Sequence, residues 1–300
     1  MKIDRNREPS VRTRVLILAN PTSGGFRLDT LSRLAAELRA KDVEVDTRFT
    51  RRAGEIAEAC ADTALAVDVL VVAGGDGSVN EALTGFLSRS TPPPLAVVPF
   101  GTANVLANEL KLPGKPDEIA DMIVRGRRRN LYTGLANGKP FVLMASVGFD
   151  AAVVHNVSPR LKRCLGKFAY VAAALHTAFR AKSPRLEVDD GHTVHQCRLA
   201  IVTNGSCYGG PFIVCPDADV TEPGLYLVML RSDDPLSLAW FGFNLVTSRI
   251  YKLKSARITR ADTIKISSPE PAPVQIDGDP FGATPLSIQS SDVSVPVLVP

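Results

Sequence analysis

The chain lacks the features that mark a disulfide scaffold, a membrane span or a polyanion binder. Its five cysteines, Cys60, Cys164, Cys197, Cys207 and Cys215, are odd in number and include no C-x-x-C pair. Neither a disulfide framework nor a thiolate metal knuckle is expected, and a reduced, cytoplasmic chain is the simpler reading. The most apolar helical stretch, Phe168 to Phe179, is bounded by Lys167 and Arg180, well short of the roughly 20 residues that cross a bilayer. Residues 1–10, Met-Lys-Ile-Asp-Arg-Asn-Arg-Glu-Pro-Ser, hold no apolar signal core. A net charge of +4 is too small for a general polyanion role, so no nucleic-acid partner is expected, although a local basic patch could still meet an anionic membrane. Neither G-x-G-x-x-G nor G-x-x-x-x-G-K-[ST] occurs, which removes the usual support for Rossmann and P-loop sites.

What is present is an ordinary globular composition of 300 residues, 45% hydrophobic and 22% charged, enough for one large core or two medium ones. From Arg14 to about Leu110, short β-branched runs alternate with longer helical ones, the pattern of parallel βαβ units. Strands are expected at 14–20, 43–49, 68–73 and 95–98, with helices at about 28–41, 54–66 and 78–89 and another from near Thr102. Thr-Pro-Pro-Pro at 91–94 reads as a stiff surface connector. After Arg125-Gly-Arg-Arg-Arg129, turn signals at 136–138, 189–191, 222–224 and 277–278 predict a mostly antiparallel second unit. Helices at about 160–181 and 235–250 interrupt it. The expected fold is therefore α/β: an open parallel-sheet domain over 1–131, completed by 291–300, and a β-rich domain over 132–290, with a cleft between them.

The chemistry concentrates at three strand ends. Asp76 lies inside Gly74-Gly75-Asp76-Gly77, between an apolar strand and a helix, where glycines allow close approach and first-turn N–H groups attract phosphate. An aspartate there would repel a phosphate, and a divalent cation such as Mg²⁺ or a bridging water resolves the conflict. The alternative is an aspartate that merely caps a helix beginning near Ser78. Asn20-Pro-Thr-Ser23-Gly24-Gly25 and Pro99-Phe-Gly101-Thr102-Ala-Asn104 end two other strands in the same style. Convergence of all three on one polyphosphate is more telling than any one turn.

These motifs resemble the catalytic domain of the diacylglycerol kinase and sphingosine kinase superfamily, most of all its bacterial soluble lipid kinases. The resemblance continues through Ser146-Val-Gly-Phe-Asp150-Ala, Leu165-Gly-Lys-Phe-Ala-Tyr170, Asn204-Gly-Ser-Cys-Tyr-Gly-Gly210 and Gln275-Ile-Asp277-Gly278-Asp279. NAD kinases share the Gly-Gly-Asp-Gly turn, but the residues after it favour the lipid branch. The resemblance implies ATP-dependent phosphorylation of a lipid hydroxyl, with ATP and Mg²⁺ as cofactors and a membrane-surface lipid as substrate. A homodimer is left open. On this resemblance Asn20, Ser23, Thr50, Gly74, Gly75, Asp76, Gly77, Ser78, Val79, Asn80, Glu81, Gly101, Thr102 and Asn104 would line the nucleotide. Asp76 would serve Mg²⁺ directly or through water, and Glu81 would orient that network. Asp277, with Asp279 beside it, would take the hydroxyl proton, although Asp277-Gly278 alone reads as a hairpin turn.

The sequence also departs from the family. Val105 and Tyr132 stand where relatives often carry aspartates, Gly25 replaces a lysine, and Asp279 replaces a glutamate. A nucleotide-binding regulator without turnover is therefore a competing expectation, as is a kinase of a soluble alcohol. Asp219 and Glu222, in Asp217-Ala-Asp219-Val-Thr-Glu222, offer oxygens for a structural metal, against the reading of a solvated acidic loop. His192-Thr-Val-His195-Gln-Cys197 could imitate a metal cluster, but directly after Asp-Asp-Gly an exposed hairpin arm is the better reading. Arg160 to Lys167, and Trp240-Phe241-Gly-Phe243 with Arg249, Lys252 and Lys254, are candidate membrane contacts. For the tryptophan segment a core helix is the simpler reading.

Overall fold

The computed structural model describes residues 13–156, 184–232, 234–253 and 255–300. The first half follows the βαβ pattern. Strand β1 (Arg14–Ala19), helix α1 (Leu28–Ala40), β2 (Glu44–Phe49), α2 (Glu55–Ala61), β3 (Val69–Gly74), α3 (Asp76–Phe86), β4 (Leu95–Pro99), α4 (Val105–Glu109) and α5 (Pro116–Arg125) follow in order. The four strands are parallel in the order β2-β1-β3-β4. Chain direction across the sheet reverses between β1 and β3, the switch point where such sheets bind ligands at the carboxyl ends of their strands. Helices α1 and α5 bury Leu31, Leu34, Leu38, Ile119 and Ile123 against one sheet face. Helices α2 and α3 bury Ile56, Val79, Leu83 and Phe86 on the other.

Several elements differ from expectation for local reasons. Helix α2 stops at Ala61 because the Asp62 carboxylate accepts the Ala64 N–H, a turn that competes with another helical step. Helix α3 starts at Asp76, with Gly75 as its N-cap, so Asp76 is not a cap for a helix beginning at Ser78. Pro93 and Pro94 are buried, because they lead straight into a strand covered on both faces. Helix α5 was not anticipated, although Pro116 at its first turn, Ile119, Ala120 and Ile123 inside, and left-handed Gly126 after it are standard signals.

The second half begins with β5 (Arg128–Ala136), β6 (Lys139–Phe141) and β7 (Met144–Gly148), followed by α6 (Phe149–Asn156), also unanticipated. The expected helix at 160–181 lies outside the described residues, as do Arg160–Lys167 and Lys254. Then come β8 (Leu186–Asp189), β9 (Val194–Cys197), β10 (Leu199–Thr203), β11 (Cys207–Tyr208), β12 (Phe212–Ile213) and β13 (Tyr226–Leu230). Helix α7 (Pro235–Val246), a short 3₁₀ turn at Ile250–Lys252, β14 (Ala256–Arg260), β15 (Thr263–Ser267), β16 (Pro273–Ile276), β17 (Asp279–Ala283) and β18 (Leu286–Leu298) complete it. One antiparallel sheet has the order β14-β13-β10-β7-β16-β17. Its Ala145, Val147, Ala200, Val202, Leu227 and Val274 face Leu186, Val188, Ile264, Ile266 and Ile288 of β8, β15 and β18, forming a sandwich core.

Strand β18 joins the two halves. Near its end Val297 pairs in parallel with Leu95 of β4, while Ile288 to Leu298 pair antiparallel with Ala136 to Arg128 of β5, and Ile264 and Ile266 of β15 pair with Ile288 and Leu286. The parallel sheet and one sandwich layer are therefore a single ten-stranded sheet. Leu298 is fully buried with the α1 and α5 side chains. Leu298→Ala is expected to cost about 2–5 kcal/mol. In urea unfolding both halves should lose structure in one earlier transition; separate transitions would contradict their mechanical union.

Candidate active site

Three loops after β1, β3 and β4 interlock through glycine. A Cβ on Gly75 would lie 2.9 Å from the Gly101 Cα, and one on Gly101 would lie 2.6 Å from the Gly75 Cα, so the second and third loops touch backbone to backbone. Gly25 donates its N–H to the Phe100 carbonyl at 2.7 Å, closing the first loop onto the third. The Asn104 side-chain oxygen accepts the Gly101 N–H at 2.7 Å, and its amide donates to the Gly101 and Pro99 carbonyls. Asn104 thus spends its side chain locking its own turn. A Cβ on Gly24 would lie 3.0 Å from the Thr102 hydroxyl.

Asp76 has a structural role in this knot. Its two carboxylate oxygens accept the Val105 and Leu106 N–H groups, each at 3.1 Å, which satisfies the exposed start of α4. The backbone of Val105 therefore orients Asp76. Ser78 packs against Gly74 and accepts the Asn20 amide at 3.1 Å, across the switch point. Glu81 accepts the Gly54 N–H at 3.0 Å and so anchors the β2–α2 loop to α3. Thr50 bonds back to the Ala19 carbonyl. Val79 is buried in the core, leaving only its backbone for a ligand.

A cavity of about 470 Å³ opens beside these loops, within the range of small-molecule sites. Asn20 and Ser23 line it from the first loop, Gly77, Ser78, Asn80 and Glu81 from α3, and Asp277 and Asp279 from the β16–β17 hairpin. Thr50, Gly74, Gly75, Asp76, Gly101, Thr102 and Asn104 lie outside its lining. Ala57, Thr84, Ile276 and Lys139 line it without having been anticipated from the sequence. Among the described residues Lys139 is the one cation of the lining, and its ammonium sits 5.2 Å from the Phe281 ring centroid. Its signal was faint: a lysine directly after the Asn137-Gly138 turn. A larger cavity of about 850 Å³ lies over β13 and β14, lined by Tyr226, Ile258 and Thr259 among others. That end of the second sheet is opposite β16 and β17, so the larger space is remote from the carboxylates.

Asp277 is both a turn residue and a clasp. Asp277 and Gly278 have φ of 48° and 86°, and Ile276 pairs with Asp279, the two-residue hairpin that Asp-Gly favours. One carboxylate oxygen accepts the Leu143 and Met144 N–H groups, both at 2.9 Å. The other accepts Val142 N–H at 2.9 Å and the Asn80 side-chain amide at 2.6 Å. Burial pushes the Asp277 carboxyl above its ordinary value, against the pull of these four donors. Gln275 accepts the Gly278 N–H at 2.8 Å and donates to Ser146 at 2.8 Å. Ser146 and Tyr208 in turn donate to Asp150, whose carboxyl burial also raises. This chain of polar groups holds the hairpin from behind.

Two other candidates are committed elsewhere. Asp219 accepts both the Thr221 N–H and hydroxyl and pairs with Arg129 at 3.2 Å. His195 pairs with Asp190 at 2.8 Å within the β8–β9 hairpin. Among the described residues, Asp219 and Glu222 with them, no cluster of three His, Cys, Asp or Glu side chains could hold a metal. Cys60, Cys197 and Cys207 are buried and their thiols pushed up to about 12, which removes them as nucleophiles.

The diacylglycerol kinase catalytic domain matches residues 14–136, and the YegS C-terminal NAD kinase beta sandwich-like domain matches 144–299, just over half the chain. The chain belongs to the diacylglycerol kinase and YegS-like lipid kinase family. A diacylglycerol kinase of Mycobacterium tuberculosis is 30% identical over 96% of this chain and 95% of its own length. One from Bacillus subtilis is 26% identical over 91% of each. Among solved structures, a protein from Bacillus anthracis str. Sterne superposes with a TM-score of 0.80 at 23% identity, covering 96% of this chain and 97% of that one. At that identity the likeness is one of fold. Among the kinase's described residues no helix is long and apolar enough to cross a membrane.

The glycine cradle makes a testable distinction. Gly77 lies at the cavity with nothing within 4 Å of a Cβ, whereas Gly75 has no room for one. Gly77→Ala should keep or slightly raise the melting temperature, since alanine favours a helix by up to about 1 kcal/mol, while raising the KM for nucleotide. Gly75→Ala should lose about 1–3 kcal/mol of stability by overpacking. Equal melting temperatures for the two variants would show that the loops do not interlock as described.

Proposed function

We propose that the kinase transfers the γ-phosphoryl group of ATP to a hydroxyl of diacylglycerol or a closely related lipid in the cavity between the Asn20, Gly77 and Asn80 surface and the Asp277 hairpin. The observation that carries this reading is the convergence on one cavity of phosphate-compatible helix and loop groups from one half and two carboxylates from the other. Residues 1–131 with 291–300 would hold the nucleotide, and 132–290 the lipid. Support for that division comes from β18, whose last residues return to β4.

Mg²⁺ fits the donors as a metal that arrives with the nucleotide. Mg²⁺ commonly uses one or two carboxylates plus substrate phosphates, and Asp76, which lies outside the cavity lining with both oxygens already accepting backbone N–H groups, would hold it through water. When bound, the ion would neutralise phosphate charge during transfer. Gly77 and the first turn of α3 would bind phosphate oxygens through backbone N–H groups. Lys139 would draw charge from the transferred group.

Asp277 would accept the lipid hydroxyl proton. All four of its donors are in place, so one must yield, and Asn80 is the only side chain among them. In the proposed step the hydroxyl takes the place of the Asn80 amide at that oxygen. Asp279, exposed beside it, would help orient the approaching substrate. The proposed substrate comes from the relatives named diacylglycerol kinase.

Labelled ATP and diacylglycerol test the reading. Asp277→Asn should reduce kcat by about 10²–10⁴, the contribution of a positioned base, while Asp279→Asn retains much more activity. The reverse order would reassign the base. Deprotonated Asp277 is the active form and burial raises its pKa, so kcat/KM should rise with pH through a value above the ordinary 3.8. Lys139→Met should raise the KM for ATP without lowering the melting temperature. Wild-type protein that binds ATP but phosphorylates no lipid would overturn the proposed reaction.

A further inference from the structure

Helix α7 turns apolar side chains toward solvent. Its sequence, Pro-Leu-Ser-Leu-Ala-Trp-Phe-Gly-Phe-Asn-Leu-Val, contains no charged residue. Leu238, Phe241 and Asn244 are buried on its inner side, against the same core that receives Ile201, Val228 and Leu230 of the second sheet. On the opposite side Leu236 is 82% exposed, Trp240 57%, Phe243 54% and Val246 62%. These positions follow at intervals of four, three and three residues, so they form one stripe along the helix. The Trp240 and Phe243 rings stack at 5.4 Å between centroids and 12° between planes. The simpler expectation of a core helix therefore holds for only one side of α7.

A continuous apolar stripe on a surface helix marks an interaction face, and the neighbouring charge selects its partner. From 235 to 261 the sequence carries Arg249, Lys252, Lys254, Arg257 and Arg260 and no aspartate or glutamate. Arg249, Lys252 and Arg257 are exposed. Asp234, just before the helix, turns its carboxylate onto the Leu236 and Ser237 N–H groups. Asp217 lines the neighbouring cavity with Ser248 and Arg260, yet the flank stays net cationic, and apolar and aromatic side chains beside such a flank complement acyl chains beneath anionic headgroups. Packing of two stripes with their helices parallel would bring two such flanks together, which like charge opposes.

We propose that α7 is a membrane-docking helix that seats the kinase on an anionic bilayer surface through Leu236, Trp240, Phe243 and Val246, with Arg249, Lys252 and Arg257 against the headgroups. The proposal rests on the lipid-kinase reading for its biological sense, but binding is measured independently of turnover. It gives the enzyme a route to a substrate that resides in the bilayer.

Trp240 is the only tryptophan of the chain, so its emission reports directly on the stripe. The full chain is mixed with vesicles of phosphatidylcholine alone or with one-third phosphatidylglycerol, using acyl chains with and without bromine. Anionic vesicles should shift the emission to the blue, and brominated chains should quench it. Leu236→Glu and Phe243→Glu, two independent exposed substitutions with wild-type melting temperatures, should each lower the vesicle-bound fraction at least tenfold. Arg249→Glu should weaken binding to anionic vesicles. Phosphorylation of a short-chain diacylglycerol presented as monomers should stay within twofold of wild type in both apolar-to-acid variants. Unchanged emission with anionic vesicles, or wild-type sedimentation of both variants, would overturn the proposal. So would a dimer in sedimentation analysis that Phe243→Glu splits. Vesicle binding without phosphorylation would instead sink the proposed reaction and leave the docking surface standing.

Discussion

The Asp277 carboxylate, with four N–H donors gathered onto two oxygens, is the interaction on which the site depends. Three donors are consecutive backbone groups, Val142 to Met144, at the entry to β7. The fourth is Asn80 on the helix that begins in the glycine turn. A partly buried carboxylate without these donors would carry an uncompensated desolvation cost, and hydrogen bonds to charged groups are worth about 1.5–3 kcal/mol each. The same clasp that fixes the hairpin therefore fixes the distance between the phosphate-compatible loops and the proposed base. Its chemistry and its architecture cannot be separated.

Support for the clasp comes from both sides. Behind the hairpin, buried Gln275 and Ser146 with half-buried Asp150 and Tyr208 form a polar chain that holds Gly278. In front, Asp76 ties the start of α4 to the glycine turn, and Gly75 meets Gly101 without side chains between them. Strand β18 then makes one sheet of both halves. Rigid elements thus present the functional groups, with Gly77 at the cavity.

The parallel sheet was legible because its strands are β-branched runs and its helices carry buried stripes at helical spacing. Glycine turns at three strand ends made their meeting readable, and the Asp-Gly dipeptide announced the hairpin. Less legible were contacts between distant segments. Nothing local in Asn80 says that it donates to a carboxylate 197 positions away, and nothing in Val105 says that its backbone orients Asp76. Lys139 carried only the weak signal of a cation after a turn. The outward side of α7 was left between two readings, because an apolar helix looks the same in sequence whether its second side is covered or exposed. Helix lengths failed where a side chain, such as that of Asp62, offered the backbone a competing partner.

If one clasp joins the two sides of the site, its partners must be energetically coupled. A double-mutant cycle with Asn80→Ala, Asp277→Ala and the double variant, read as unfolding free energy in urea, measures this directly. The predicted result is a coupling of about 1–3 kcal/mol, the range for residues sharing a hydrogen bond. Additivity within about 0.5 kcal/mol would mean that the Asn80 to Asp277 contact does not hold the halves together.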